Sequence, residues 1–400
     1  MLKKLRLHNF RTFLNAELTF TQRHLVIGRN NSGKTNLCSA LFFLRSTAIN
    51  DLATAAAMVP GGMVELKNWA FNSPEIRLSC TCALPFAGEV LDFTYDLTLR
   101  VEAPPSPMES WRVSLRLAAE RLTIDGPGFP SVVLLENDGR EAQMLHEEDS
   151  AIRGDNHTVK TLAPNDATML SRLYEAATNR RAILFRKYLS SLSYHAFSPE
   201  HIRFAWQTSL PPLLGLIGRG DNLATVLYQM KNMDEQRYRR VVEHVRIVEP
   251  TLEAVNFFPV PNQTPVPLVA LRGQPRASWQ GLSDGTLRCL GLAFIIEAAA
   301  GFSSDTGLPP PLVVIEEPEN GIYPGQLRNI FDLFEERAPQ VQFILTSHNP
   351  YFINFFDGFR ESVTILRRTN GTTEIISPPP ASDDPDRLML AEQYALELIG

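Results

Sequence analysis

Over residues 2–18, apolar and polar positions alternate in two short stretches around Asn9-Phe10-Arg11-Thr12, a pattern that predicts a β-hairpin. A continuous apolar run, Leu25-Val26-Ile27, comes next, followed by a helix-compatible stretch at 36–46. After a loosely patterned segment ending near Asn72, alternation returns at 75–83, 89–101, 111–117 and 131–136. Turns rich in Pro and Gly, at 104–107 and 126–128, separate these runs and predict an antiparallel β lobe. From 165 to 250 the period changes to that of helices, at 169–177, 182–192 and 222–248. Beyond Val255 the signals alternate: a strand at 268–271, a helix after Asp284, a strand at 312–315, a helix at 325–336 and a strand at 341–346. That order suits the parallel half of an α/β sheet. A Pro- and Asp-rich stretch at 377–386 precedes a short helix near 388–399. Three parts are expected: an N-terminal lobe with a β subdomain (1–164), a helical insertion lobe (165–255) and a C-terminal lobe (256–400).

The apolar run at 25–27 leads into Gly28-Arg29-Asn30-Asn31-Ser32-Gly33-Lys34-Thr35, which fits the phosphate-binding pattern G-x-x-x-x-G-K-[ST]. The pattern needs a strand end, a glycine turn and a helix N-terminus, and this chain supplies all three, with the helix opening at Asn36. Gly28 and Gly33 let the backbone approach phosphate oxygens where a Cβ would collide. Lys34 would reach the β- and γ-phosphates, and the Thr35 hydroxyl would ligate Mg²⁺.

Three later motifs say what is done with the nucleotide. The strand at 312–315 ends in Glu316-Glu317, and strand ends in α/β sheets point at the ligand crevice. Glu316 would order Mg²⁺ and its waters, and Glu317 would act as general base. The strand at 341–346 ends in Ser347-His348, which places His348 to reach the γ-phosphate or the attacking water. Leu282-Ser283-Asp284-Gly285-Thr286 opens a long apolar helix; Ser283 and Asp284 can cap it, and Gly285 leaves first-turn amides open to an anion.

Composition adds limits. Net charge is −6, with 44% apolar and 20% charged residues, which argues against a coat of positive charge for non-specific DNA binding. Four cysteines give no disulfide framework; Cys80 and Cys82 read as buried core thiols. Residues 1–6 carry no signal core. The apolar run at 289–302 is short for a bilayer and is interrupted by Glu297, so a cytoplasmic protein without a membrane partner is expected.

In this order (phosphate loop, Ser-bearing signature, acidic strand, Asp-type loop, switch histidine) the chain resembles the ABC-type ATPases of the SMC, RecF and OLD branch. Glu317-Pro318-Glu319-Asn320-Gly321-Ile322-Tyr323-Pro324 resembles the segment after the catalytic Glu, with Asn320 where many members carry Asp. Asn9-Phe10-Arg11-Thr12-Phe13 resembles the N-terminal motif of SMC-like heads, whose Arg lies near the nucleotide. Glu at 316 replaces Asp, Asp284 replaces a Gly, and no glutamine-loop residue stands out.

The resemblance implies an α/β ABC/SMC-like head with a mixed sheet, using ATP and Mg²⁺. It also implies a homodimer, or an oligomer built on it, in which Ser283 and the Gly285 amide of one copy close on ATP held by the other. No long coiled coil, Cys-x-x-Cys hook or TOPRIM-like acidic cluster is legible, and Asp383-Asp384-Pro385-Asp386 reads as a solvated loop. Similar stand-alone ATPases work with a separate effector subunit, a nuclease or toxin, in phage-defence or toxin–antitoxin-like systems. A RecF-like DNA-repair ATPase and an ATP-held scaffold are the alternatives. Arg180, Arg181, Arg186 and Lys187, or Arg237, Arg239 and Arg240, would meet DNA or an acidic partner unless they are solvated helix faces.

Overall fold

The computed structural model describes residues 1–102, 113–126, 129–147, 156–162, 165–173, 178–204, 215–258, 260, 265–380 and 388–399. The turns expected at 104–107 and 127–128 and the acidic stretch at 383–386 lie outside them. An eight-stranded antiparallel sheet runs in the order Phe13–Thr19, Leu2–Phe10, Glu75–Phe86, Glu89–Glu102, Ser114–Gly126, Phe129–Asn137, Glu141–Glu147 and Asn156–Leu162. A six-stranded sheet runs Ser193–His195, Leu312–Glu316, Gln342–Ser347, Arg23–Ile27, Val363–Thr369 and Thr372–Ile376. Its first five strands are parallel and the last is antiparallel. Leu252–Phe258, Val266–Leu271 and Gln274–Ser278 form a small antiparallel sheet.

The central parallel strands are mostly apolar because both of their faces are covered. Successive side chains point to opposite faces, so neighbours in sequence serve different cores. Val26, Leu312, Val314 and Ile344 pack with Leu37, Leu41 and Leu44 of the helix Lys34–Thr47 and with the antiparallel lobe. Leu25, Ile27, Val313, Ile315, Phe343 and Leu345 pack instead with the helices Asp284–Thr306 and Leu327–Arg337. Each such side chain contributes about 1.5–3 kcal/mol on burial. The sheet is therefore clamped from both sides, which fixes the edge where its strands end. Gln342 locks the two large sheets at their opposite end: its Oε1 accepts from Leu2 N at 2.7 Å, and its Nε2 donates to Leu2 O at 2.8 Å and Thr21 O at 3.1 Å.

Several elements differ from the sequence expectation. The stretch 222–248 is two helices, Leu223–Met233 and Glu235–Val245, broken at Asp234, whose carboxylate caps the second by accepting from Arg237 N. Ser193–His195 is a strand inside the region expected to be helical, too short for any period to show. The hairpin Val363–Thr369/Thr372–Ile376 was not expected, although Asn370-Gly371, both at positive φ, is a strong two-residue turn signal. The apolar helix spans 23 residues, Asp284–Thr306, and by length and composition alone it is long enough to cross a membrane. Most of it is buried as the core helix of this fold.

Candidate nucleotide site

Register brings the sequence-picked residues to one sheet edge. Glu316 pairs with Thr346, and Ser347 pairs with Ile27, so the phosphate loop and the acidic pair leave the same edge on either side of the strand Gln342–Ser347. With strands about 4.8 Å apart, they stand about 10 Å from each other.

The phosphate loop is tightly wound. A Cβ on Gly28 would lie 2.4 Å from Ser32 Oγ and 2.5 Å from Leu366 O, while Gly33 sits at φ +111°, where a side chain is strained. Lys34 is buried and donates to Gly28 O at 2.5 Å and Arg29 O at 3.1 Å. Desolvation lowers the Lys34 pKa, opposed by the charges of Glu317, Glu316 and Glu319. That opposition places Lys34 and the acids in one electrostatic site. Burial likewise raises the Glu316 pKa, while the Thr35, Cys38 and Tyr194 side chains around it act in the opposite sense.

The loop is braced by Thr373, which the sequence did not single out. Thr373 Oγ1 donates to Ser32 O at 2.9 Å and lies 2.7 Å from Thr12 Oγ1, and Asn36 Nδ2 donates to the same Thr12 oxygen at 2.9 Å. Arg11, at φ +50°, donates to Asn36 Oδ1 at 3.3 Å and to Pro60 O, so it is anchored at the helix start. Asn31 accepts from Arg368 at 2.5 Å and Arg29 pairs with Glu397 at 2.8 Å; Asn30 is exposed. These partners come from distant hairpins and the C-terminal segment, so no local motif could announce them.

Glu317 sits at φ +47°, an uncommon conformation for a non-glycine residue that aims its side chain out of the strand line. Both carboxylate oxygens have donors: His348 Nδ1 lies 2.8 Å from Oε1, and Asn320 Nδ2 donates to Oε2. The expected base and the expected switch histidine are thus directly bonded. Glu319, which the sequence placed in the segment after the catalytic Glu without a role of its own, is buried with its pKa pushed up to about 7 by desolvation.

Ser283 caps the helix Asp284–Thr306 by accepting from Thr286 N at 3.1 Å, and Asp284 pairs with Arg203 at 2.7 Å. Among the described residues, no hydrogen bond joins Ser283, Asp284 or Gly285 to residues 28–36. Gly285 packs instead on the loop after Glu317, where a Cβ would fall 2.4 Å from Gly321 O. Gly285→Ala is expected to lower stability by about 1–3 kcal/mol, measured by urea unfolding, because a backbone carbonyl cannot step aside as a side chain can.

Ser32 Oγ and Glu316 Oε1 are buried without a hydrogen-bond partner. Orphaned oxygens beside a buried lysine and a threonine hydroxyl suit a phosphate chain with a hydrated divalent cation. Thr35 and Glu316 are the residues that would hold Mg²⁺, directly or through water. Among the described residues no cluster of three or more His, Cys, Asp or Glu forms a metal site by itself.

The fold is similar to a crystal structure of an SMC head bound to the C-winged helix domain of ScpA, at 12% identity over 94% of this chain and 98% of that one, with a TM-score of 0.56. It is also similar to the Smc head domain with an extended coiled coil bound to the C-terminal domain of ScpA derived from Pyrococcus furiosus, at 12% identity over 99% and 98%, with a TM-score of 0.50. The fold is that of an SMC head, with a phosphate-binding loop at the end of its parallel strands. Residues 146–354, slightly more than half of the chain, match the family described as AAA domain, putative AbiEii toxin, Type IV TA system, and the chain belongs to that family. Residues 1–82 match the AAA ATPase domain. Among curated proteins no sequence matches the chain.

Proposed function

We propose that the chain hydrolyses ATP at this edge and uses the nucleotide to bring two copies together, thereby controlling a separate effector subunit. The observation that carries the reading is the convergence of Lys34 and Thr35 with Glu316 and Glu317 around the strand that ends at His348. Mg²⁺, when bound, would neutralise phosphate charge and orient the phosphate chain. Glu317 would accept the proton of the attacking water, which requires Oε1 to be free of His348. A γ-phosphate within reach of His348 offers the imidazole an alternative acceptor. Nucleotide arrival would thus convert a capped base into a working one.

Dimerisation is supported by the signature helix. Its capped N-terminus packs on the loop after Glu317 and makes no hydrogen bond to its own phosphate loop, which suits a role on a second copy's nucleotide. Hydrolysis would remove that contact and loosen the pair. A partner protein is supported by the family description, which places a putative toxin of this kind in a two-component toxin–antitoxin system, and by the ScpA-bound heads of like fold.

Of the residues offered as DNA contacts, Arg180 and Lys187 are exposed, and the others are engaged within the chain. Arg181 is buried, Arg186 donates to Ala48 O and Leu173 O, and Arg237, Arg239 and Arg240 pair with Asp305, Glu235 and Glu297. No observation here favours the duplex-binding alternative.

Lys34→Ala tests the binding step. Its ammonium feels the charges of Glu317 and Glu316 across the site. ATP affinity measured by calorimetry is expected to fall about 10- to 150-fold, the loss of one hydrogen bond to a charged group. Unchanged affinity would remove Lys34 from the site. Pull-down from the host tests the effector: a co-purifying nuclease or toxin supports it, and a chain that purifies alone counts against it.

A further inference from the structure

We propose that Glu319 is a positioning residue for hydrolysis, tying the loop that carries Glu317 to the strand end that carries His348. This rests on the ATPase reading above.

Two kinds of tie join those segments. The backbone tie is Glu317 N donating to Thr346 O at 3.0 Å, with Thr346 Oγ1 at 3.3 Å as a second acceptor. The side-chain tie is Ser347 Oγ donating to Glu319 Oε1 at 2.5 Å. The same Ser347 oxygen accepts from Asn349 N at 3.0 Å. One buried hydroxyl therefore fixes the residues on both sides of His348 and hangs them on Glu319. Turn bonds within the loop, Asn320 N to Glu317 O and Ile322 N to Glu319 O, both at 3.1 Å, make the base and its anchor one rigid piece. With both ties made, His348 Nδ1 arrives 2.8 Å from Glu317 Oε1.

A residue retained only for packing would not need a carboxyl here. Glu319 is 2% exposed, its second oxygen has no partner, and burial has lifted its pKa to about 7. Desolvating a carboxyl is costly, and an apolar side chain of like size would avoid the cost. An apolar side chain would, however, release Ser347. An amide would not, since its oxygen accepts the same bond.

The test compares Glu319→Gln, Glu319→Ala, Ser347→Ala and the Glu319→Ala/Ser347→Ala double variant in steady-state ATP hydrolysis by the full chain with Mg²⁺. Because misplacing a reacting group by about 1 Å costs up to about 100-fold, each Ala variant is expected to lower kcat about 30-fold. KM for ATP should stay within about twofold, since the phosphate loop is untouched. Glu319→Gln should keep kcat within about threefold, and the double variant should be no slower than either single change, because the two residues act as one unit. Should Glu319→Ala misfold, Ser347→Ala carries the same comparison. Wild-type kcat in the Ala variants, losses that multiply in the double variant, or an effect confined to KM would overturn the proposal. A wild-type chain that hydrolyses no ATP overturns the ATPase reading and this one with it. An active wild type with an unimpaired Glu319→Ala overturns this one alone.

Discussion

Glu317→Gln is expected to cut ATP turnover about 1,000-fold, within the range a general base contributes, and to leave the protein as a dimer on gel filtration with ATP. The substitution keeps the length and shape of the side chain and one acceptor oxygen, so His348 can still find a partner. It cannot take a proton from water. The new amide nitrogen also has to face either His348 Nδ1 or Asn320 Nδ2, both donors, so the bonding now made at one oxygen is lost. The left-handed backbone at Glu317 belongs to the folded loop and is as tolerable for Gln as for Glu. Nucleotide binding should therefore survive while hydrolysis stops, and the ATP-held pair should accumulate. Elution at the monomer position with ATP would make the paired-head mechanism wrong, even if turnover were lost as expected.

Glu297→Ala is expected to destabilise the fold by about 3–5 kcal/mol, through the loss of one partner from a buried charge cluster. Glu297 is buried in the middle of the helix Asp284–Thr306. It receives Arg240 at 2.7 Å, His244 at 2.9 Å and Arg337 at 2.9 Å. Burial alone would raise its pKa, but the hydrogen bonds from His244 and Arg240 and the Arg337 charge outweigh it and hold the carboxyl at about 2. The sign follows from linkage. A depressed carboxyl stabilises the fold fully above its ordinary pKa, here 4.5, and that contribution is lost as pH falls through about 2. Denaturant melts should show wild type and Glu297→Gln far apart at pH 7 and converging as pH drops from 4.5 toward 2. A gap independent of pH would mean that the cluster's charge does not stabilise this fold. The cluster matters to the site because it joins three helices. They are Glu235–Val245, the helix that begins at the signature, and Leu327–Arg337, which follows the loop after Glu317.

The phosphate loop and the acidic strand end were legible in the sequence because each is local. A strand, a glycine turn and a helix N-terminus, or an apolar run closed by two acids, lie in adjacent residues. Three of the five parallel strands were legible for the same reason, since Arg23–Ile27, Leu312–Glu316 and Gln342–Ser347 carry local apolar runs. Thr12, Thr373, Ser347 and Glu319 were not, because their roles are set by partners brought in from other segments. Glu319 in particular had no role of its own in the segment after Glu317, because its burial and its bond to Ser347 exist only in the folded chain. The cluster at Arg237, Arg239 and Arg240 was visible as charge, but its partners Asp305, Glu235 and Glu297 were not, since two of them lie far away in sequence. The edge hairpin Val363–Thr369/Thr372–Ile376 carried its Asn-Gly turn in plain view; a polar second half, Arg367-Arg368-Thr369, masked the strand.

The most direct test is a crystal structure of Glu317→Gln with ATP and Mn²⁺ in place of Mg²⁺, with anomalous scattering used to locate the ion. A peak in contact with the Thr35 hydroxyl and a triphosphate oxygen, with Glu316 beside it directly or through one water, is the expected result. A peak or a triphosphate chain remote from either the phosphate loop or the acidic strand end would contradict a shared site.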